Sequence, residues 1–226
     1  MRVILLPIKN PSNAKQRLSS KLSPTERKDI VWAMIEDVTR ALARATLADR
    51  IVVTTQDRSV IQYALNQRWE VIEETEQISE SCSVDMASVL LKRQGATAVL
   101  RLPMDIPLVK SEDIDQVLGL QLSSSSGLLV PSLDGTGTNA LLRIPPDAFP
   151  SRFGSGSLNL HRLEAKLAGV EVKVLENHRI SLDIDTPQDV LKFMEVESKT
   201  TTLDVMQNLH AMERLACIDK ADNAST

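Results

Sequence analysis

Aromatic residues, cysteines and long apolar runs are all scarce in this chain. Phenylalanine, tryptophan and tyrosine together account for 3% of its 226 residues. The two cysteines, Cys82 and Cys217, are far apart and match no metal-ligand or redox spacing, which argues against a zinc site and a disulfide framework. The apolar run at the amino terminus ends at Pro7, too early for a secretory signal, and no stretch approaches the roughly 20 residues of a membrane span. We therefore expect reduced thiols and a cytoplasmic location.

Basic residues are too few and too dispersed to indicate a polyanionic partner. The chain has 26 lysines and arginines against 30 aspartates and glutamates, a net charge of -4. This balance argues against nucleic acid or an acidic membrane as the partner and favours small molecules. The length and the 42% of hydrophobic residues suffice for one domain with a full core. We predict a single domain over residues 1–198 and a C-terminal helical tail over residues 199–226.

Short apolar runs alternate with helical segments, which indicates an α/β fold. The runs are mostly continuous rather than alternating, as is typical of a sheet covered by helices on both faces. The predicted strands are residues 3–7, 51–55, 69–73, 98–102, 128–131 and 139–144. The predicted helices are residues 24–45, 59–67, 84–94, 111–121, 157–168 and 188–196. The link between the last two strands is too short for a crossover helix, so we predict a mixed, mostly parallel sheet.

The tail carries one apolar helical stripe: Leu203, Met206, Leu209, Met212 and Leu215 recur at three- and four-residue spacing. This pattern predicts one helix from residue 202 to residue 218. Two alternatives remain open for it, because the stripe suits either packing against the domain or a homodimer contact.

Two aspartates one residue apart, Asp183 and Asp185, lie in an apolar segment that predicts a buried strand. In a strand such residues point to the same face, about 6–7 Å apart along the backbone. Asp105 follows another apolar run. Carboxylates are rarely buried without a positive partner, so we predict a Mg²⁺ site formed by Asp105, Asp183 and Asp185. The simpler alternative is that these aspartates cap helices or turns.

A basic segment follows the first predicted strand and contains Lys9, Lys15 and Arg17. Ligands of open α/β sheets bind at the carboxyl ends of the strands, where cations suit phosphate groups. No glycine occurs from Pro7 to Leu18, which excludes a Walker loop and a Rossmann glycine fingerprint there. An ordinary solvated loop is the alternative.

Two loops of small residues, 134–139 and 153–157, offer backbone amides and hydroxyls to an anion. Their glycines let the backbone approach a ligand closely, Thr138, Ser155 and Ser157 offer hydroxyls and amides, and Ser157 also lies near the start of a predicted helix, whose N-terminus favours an anion. Each loop taken alone is more often a turn. His161 lies nearby, and we expect it to be partly exposed and without a role.

Taken together and in order, these motifs resemble the 2-phospho-L-lactate guanylyltransferases and their phosphoenolpyruvate-using bacterial relatives, which make the guanylylated precursor of the deazaflavin coenzyme F-420. The resemblance covers roughly residues 3–191. The motifs that carry it are residues 7–9, 14–18, 104–107, 134–141, 153–157 and 183–187. One stretch departs from the family: residues 81–88 stand where relatives have a Gly-Leu-Asn-like opening of a helix that helps to hold the nucleotide.

The resemblance implies a Rossmann-like nucleotidyltransferase fold and a Mg²⁺-dependent transfer of GMP from GTP to a three-carbon phospho-acid, with release of pyrophosphate. The acid would be phosphoenolpyruvate, 2-phospho-L-lactate or 3-phosphoglycerate. The metal ligands would be Asp105, Asp183 and Asp185, and Thr138, Gly154 and Ser157 would bind the phospho-acid. Lys9, Lys15, Arg17 and Asp105 would face the nucleotide phosphates, with Lys15 also counted among the catalytic residues.

Three other functions are compatible with the sequence. The first is another nucleotidyltransferase of the same fold, although such enzymes usually have a glycine-rich loop after the first strand. The second is a haloacid-dehalogenase-type phosphatase, whose paired aspartates resemble Asp183 to Thr186 but whose nucleophile lies nearer the amino terminus. The third is a nucleotide-binding protein without catalysis that uses the tail helix as its interaction surface.

Overall fold

The computed structural model describes residues 1–76 and 78–216, which form a seven-stranded mixed sheet covered by helices on both faces. The strand order is β3-β2-β1-β4-β6-β5-β7, and β6 runs antiparallel to both of its neighbours while the other pairs are parallel. The strands are β1 (Arg2–Pro7), β2 (Arg50–Thr55), β3 (Glu70–Glu73), β4 (Ala98–Arg101), β5 (Ser126–Pro131), β6 (Thr138–Ile144) and β7 (Glu171–Val174). The predicted fold class and mixed sheet are confirmed.

The six helices predicted before the tail are all present among the described residues, and the short helix α6 was not predicted. The helices are α1 (Pro24–Leu42), α2 (Arg58–Asn66), α3 (Glu80–Arg93), α4 (Ser111–Gly119), α5 (Ser157–Leu167), α6 (His178–Ser181), α7 (Pro187–Glu195), α8 (Thr201–Asn208) and α9 (Ala211–Ala216). Helix α1 opens with a capping box, in which Ser23 and Glu26 satisfy each other's backbone N–H groups. Helix α3 begins earlier than predicted because the Ser79 hydroxyl caps it by accepting from the backbone N–H of Cys82.

Strand β1 shows why the apolar runs are continuous. Ile4 and Leu6 pack in the cluster formed with α1, whereas Val3 and Leu5 pack in the cluster formed with α3, and all four side chains are fully buried. Helix α5 covers the other end of the sheet, on the same face as α3. Phe153 packs against both the cluster formed with α3 and the cluster formed with α5. Because both faces are covered, every residue in the middle of the strand must be apolar.

The segment with Asp183 and Asp185 is not a strand, which corrects the prediction. It is an extended link between α6 and α7, and its backbone is held by a hydrogen bond from Ile184 N to Asp105 O of 3.0 Å. Leu182 and Ile184 are nevertheless buried, as they would be in a strand, but the segment pairs with no strand. The aspartates do not cap α7 either, because Thr186 and Asp189 form its capping box.

The tail forms two helices rather than one. The break lies at His210, whose φ of 50° is left-handed, and α8 packs against α1. Met206 and Leu215 are buried, whereas Met212 is 41% exposed. The described part of the tail therefore belongs to the domain, and most of its stripe is used within the chain. A homodimer through this helix stays a prediction. Residues 217–226, with Cys217 and the predicted end of the tail helix, lie outside the described residues.

Across the described ranges, none of the helices combines the length and the apolar character needed to cross a membrane.

Asp37 of α1 ties the tail to the domain. Its buried carboxylate accepts hydrogen bonds from Thr201 N (2.9 Å), Thr202 N (2.8 Å) and the Thr202 hydroxyl (2.6 Å). Asp37→Ala should leave these donors unpaired, lower the free energy of unfolding by about 2–3 kcal/mol and speed amide exchange selectively in α8 and α9. Denaturant unfolding and hydrogen exchange measure both. The control is Asp29→Ala, an exposed position on the same helix. Unchanged exchange in α8 would refute this anchoring role.

Candidate active site

The candidate site lies at one edge of the sheet, where β1, β4 and β5 end and β6 begins. Arg101 at the end of β4, Thr138 and Asn139 at the start of β6, and residues of the loops 132–137, 153–157 and 183–186 line an open cavity of about 670 Å³. Thr138, Gly154 and Ser157 line it, and so do the three predicted aspartates. The antiparallel direction of β6 is what places Thr138 at the carboxyl ends of its neighbours.

Lys15 bridges two of the aspartates. Its ammonium lies 2.7 Å from Asp105 Oδ2 and 3.5 Å from Asp185 Oδ1, and its side chain is only 7% exposed. Arg17 binds the other oxygen of Asp185 at 2.7 Å from an exposed position. Lys15 adopts a left-handed backbone conformation, with a φ of 54°, just before a 3₁₀ turn at Gln16–Leu18. The structure thus joins Lys15 and Arg17 to the aspartates by ion pairs that the sequence analysis did not predict, and their contact with nucleotide phosphate stays a prediction.

Lys9 is placed differently. It is exposed, it does not line the cavity, and the ion pairs found among the described residues do not include it. Its predicted contact with nucleotide phosphate stays a prediction.

Lys15 compensates the charge of Asp105 more fully than that of Asp183. Burial alone would raise the pKa of Asp105, but the charge of Lys15 and its hydrogen bond hold it below its usual range. Burial would likewise lower the pKa of Lys15, but the charge and hydrogen bond of Asp105 raise it. Burial and the neighbouring charge of Asp105 raise the pKa of Asp183. Asp183 is therefore the carboxylate for which an additional cation would be most favourable.

The donor set fits Mg²⁺ in chemistry. Asp105 and Asp183 are hard oxygen donors that repel each other, and Mg²⁺ in nucleotide sites takes one or two carboxylates and completes its shell with water and phosphate. Among residues 1–76 and 78–216, no three carboxylate, imidazole or thiolate side chains are close enough to hold one ion by themselves. Mg²⁺ bound by Asp105, Asp183 and Asp185 stays a prediction.

Asn139 orients the Asp183 segment, a role that the sequence analysis missed. Its buried amide donates to Ile180 O (2.9 Å), Ser181 O (2.9 Å) and Asp183 Oδ1 (3.0 Å). The pairing of β5 with β6 shifts at this residue, because Val130 pairs with Ala140 but Pro131 pairs with Thr138. Asn139 is thus the extra residue of a β-bulge, a feature that redirects side chains near active sites. Nothing in the local sequence distinguishes it from an ordinary strand asparagine.

The two small-residue loops meet as predicted. Leu158 N donates to Thr136 O (3.0 Å), and Ser157 N donates to Gly154 O (3.2 Å). Gly154 and Gly156 have φ values of 121° and 68°, conformations that glycine adopts without strain. The N-terminus of α5 is therefore held at the cavity, where the positive end of the helix dipole suits an anion.

His161 was expected to be partly exposed, and this expectation is wrong. Its ring is fully buried, with Nδ1 3.0 Å from Thr138 Oγ1 and Nε2 accepting from Arg152 N at 2.8 Å. Burial, together with Arg143, Arg101 and Arg152, lowers its pKa to about 3, although a Ser157 backbone hydrogen bond opposes the shift. The helical spacing of Leu158, His161 and Ala165, all buried on one face of α5, was the signal that could have revealed this.

Arg101 is a second residue that sequence analysis missed. It ends β4, stacks over the Phe153 ring at 4.3 Å, pairs with Glu80 and donates to Asn139 O at 2.8 Å. Glu80 begins α3, next to the stretch 81–88 that departs from the family pattern. Further along this stretch, Asp85 pairs with the buried Arg143 at 2.7 Å and accepts from Ser151 N and Oγ. The stretch thus holds Ser151, just before the 153–157 loop, by hydrogen bonds.

Comparisons with known proteins show a similarity that covers most of the chain. A family model described as "Guanylyl transferase CofC like" matches residues 1–214. The phosphoenolpyruvate guanylyltransferase of Conexibacter woesei is 32% identical over 187 residues, 82% of this chain and 84% of that protein. The 2-phospho-L-lactate guanylyltransferase of Methanothermobacter thermautotrophicus is 32% identical over 186 residues, 82% of this chain and 81% of that protein.

Solved structures show the same fold at lower identity. A protein from Desulfovibrio desulfuricans G20 classed with the nucleotide-diphospho-sugar transferases superposes with a TM-score of 0.77 at 18% identity, covering 94% of this chain and 96% of its own. A nucleotidyl transferase from Methanothermobacter superposes with a TM-score of 0.59 at 15% identity, covering 85% and 95%. The fold is that of the nucleotidyltransferases.

Proposed function

The chain belongs to the family of CofC-like guanylyl transferases, and from this premise we propose that it transfers GMP from GTP to the phosphate of a three-carbon phospho-acid and releases pyrophosphate. Phosphoenolpyruvate and 2-phospho-L-lactate are the first candidates for the acid, because relatives are named for them. The reaction would serve the biosynthesis of the deazaflavin coenzyme. The observation that carries the proposal is that one cavity is lined both by three aspartates, one of them bonded to Lys15, and by two loops suited to an anion.

The reaction needs no serine or cysteine nucleophile. An oxygen of the acid's phosphate attacks the α-phosphorus of GTP, one phosphoanhydride bond forms, the α–β phosphoanhydride bond breaks, and its electron pair leaves with pyrophosphate. The attacking phosphate is already an anion, so no proton has to be removed first. Catalysis then consists of alignment and charge neutralisation.

The residues of the site divide this work. Lys15 and Arg17 contribute two cations beside the aspartates and are suited to the triphosphate, since both already bind anionic oxygens here. Thr138, Gly154 and Ser157 present hydroxyl and backbone donors to the phospho-acid. Mg²⁺ held by Asp105, Asp183 and Asp185 would supply charge neutralisation on the α-phosphate and the leaving group. Asn139 holds Asp183 in place for that role.

A pyrophosphate-release assay tests the proposal. Phosphoenolpyruvate, 2-phospho-L-lactate and 3-phosphoglycerate are each combined with GTP, ATP and CTP. We expect release with GTP and at least one of the first two acids. Release only with ATP or CTP would indicate another nucleotidyltransferase of this fold. GTP binding without release for any acid would favour the nucleotide-binding protein without catalysis.

Removal of divalent metal should abolish the activity. With EDTA in excess we expect the rate to fall at least about a hundredfold, because the repulsion between the triphosphate and the attacking phosphate is no longer screened. Mg²⁺ added above the chelator should restore it. Thermal unfolding measured in parallel shows whether the protein stays folded. Full activity in EDTA would contradict the assignment of a metal to the aspartates.

A further inference from the structure

The hydrogen bonds of the buried His161 ring determine which ring nitrogen carries its proton. Its Nε2 atom receives a backbone N–H from Arg152 at 2.8 Å, and a backbone N–H can only donate. Nε2 must therefore carry no proton. A neutral imidazole with a bare Nε2 carries its single proton on Nδ1.

This assignment determines the direction of the hydrogen bond to Thr138. Nδ1 lies 3.0 Å from Thr138 Oγ1, and since Nδ1 holds the proton, which the Ser157 backbone also accepts, the ring cannot accept a hydrogen bond from the hydroxyl. The hydroxyl proton of Thr138 is then not used by His161. Thr138 lines the cavity, so this proton is available to a ligand oxygen there. With the opposite tautomer, Thr138 would donate to the ring and present only lone pairs, which repel an anion.

We propose that His161 is a positioning residue that holds the Thr138 hydroxyl as a hydrogen-bond donor toward an anionic oxygen of the phospho-acid. The inference rests on the proposed function for the identity of that ligand.

Two further observations support it. The pKa of His161 is lowered to about 3 by burial and by three arginines, so the ring stays neutral at physiological pH. The ring also joins the two loops of the site, because Thr138 begins β6 and Arg152 precedes the 153–157 loop, while Phe153 packs edge-on against it with ring centroids 4.9 Å apart. A ring held from three sides has one orientation, which a proton-directing role requires.

Two substitutions separate the two hydrogen bonds of the ring. In His161→Gln, the side-chain oxygen reaches the position of Nε2 and accepts from Arg152, but the donor to Thr138 is lost. In His161→Asn, the amide nitrogen lies near Nδ1 and still donates to Thr138, but the Arg152 N–H loses its partner. The exposed His178 provides a matched surface control as His178→Gln.

The kinetic experiment measures KM for phosphoenolpyruvate, 2-phospho-L-lactate and GTP by pyrophosphate release. His161→Gln should raise the KM of the acid that the wild type uses by roughly 10- to 100-fold, the effect of one hydrogen bond to a charged group, without changing KM for GTP. His161→Asn should stay near the wild-type KM. In a Thr138→Val background, His161→Gln should not raise the KM of the acid further, because the hydroxyl at position 138 is already absent. An equal rise in both backgrounds, or no rise at all, would overturn the proposal.

NMR of the wild-type protein with ¹⁵N-labelled histidine provides a readout independent of folding in the variants and of turnover. We expect the proton of His161 on Nδ1 and a bare Nε2. A proton on Nε2 would overturn the proposal. If the wild type releases no pyrophosphate with any acid, the proposed function fails, whereas the tautomer measurement still decides whether Thr138 is held as a donor.

Discussion

Replacing Asp183 with asparagine should lower the turnover number by roughly a hundredfold to a thousandfold while the protein stays folded. Asparagine has the same shape and keeps an oxygen that can accept from Asn139, the partner of Asp183 Oδ1 at 3.0 Å. What it removes is the negative charge. That charge is already unfavourable in the folded protein, because burial and Asp105 raise the pKa of Asp183. Loss of activity without loss of stability would therefore indicate that the charge serves the reaction.

The measurement is pyrophosphate release at saturating Mg²⁺, with thermal unfolding of the same preparations. Asp204→Asn, an exposed position on α8, is the matched control and should behave as the wild type. The expected Tm of Asp183→Asn is equal to or above that of the wild type. If the variant kept near-normal turnover with Mg²⁺, the assignment of Asp183 as a metal ligand would be wrong.

Replacing Asp85 with alanine should lower the free energy of unfolding by about 3–5 kcal/mol, because it leaves a charged arginine buried without its partner. Arg143 is 2% exposed and pairs with Asp85 at 2.7 Å. Its remaining partners, the Phe149 carbonyl and the Ser88 hydroxyl, carry no charge. The same substitution removes the acceptor for Ser151 N and Oγ, so the segment leading to the 153–157 loop should loosen as well.

Denaturant unfolding measures the loss. Asp85→Asn should be less destabilising than Asp85→Ala, since asparagine keeps an acceptor oxygen without the charge. Met86→Ala is the control on the same helix, because Met86 is 69% exposed. If Asp85→Ala unfolded within about 1 kcal/mol of the wild type, the Arg143 charge would have to be compensated by another group.

The layers of the fold were predictable because strands that are buried on both faces have continuous apolar sequences. Runs such as the one in β1 predicted six strands, and the short link before β6 predicted its antiparallel direction. Strand β7 was not predicted, because only continuous apolar runs served as strand signals, whereas its four residues, Glu171 to Val174, alternate between charged and apolar. The reverse error occurred at Asp183 and Asp185, where Leu182 and Ile184 are buried as in a strand but pair with no strand.

The predicted site residues shared one property: their chemistry is evident from residue type. Aspartates, basic residues and glycines near strand ends indicated the cavity, and all of the predicted residues line it except Lys9 and Lys15, of which Lys15 is bonded to the lining residue Asp105. Asn139, Arg101 and His161 were missed because their roles depend on partners distant in sequence. Asn139 acts on residues 41 to 44 positions away, and Arg101 pairs with a residue 21 positions away. Such contacts follow from strand order, which the local pattern does not contain.

The β-bulge at Asn139 makes the length of β6 a condition for function. With the extra residue in place, Thr138 contacts His161 of α5 and Asn139 contacts Asp183, so two consecutive residues bind two different segments of the site. Losing one residue there would restore regular pairing and turn one of the two side chains away from its partner. Insertions and deletions among the relatives should therefore be absent from the first residues of β6.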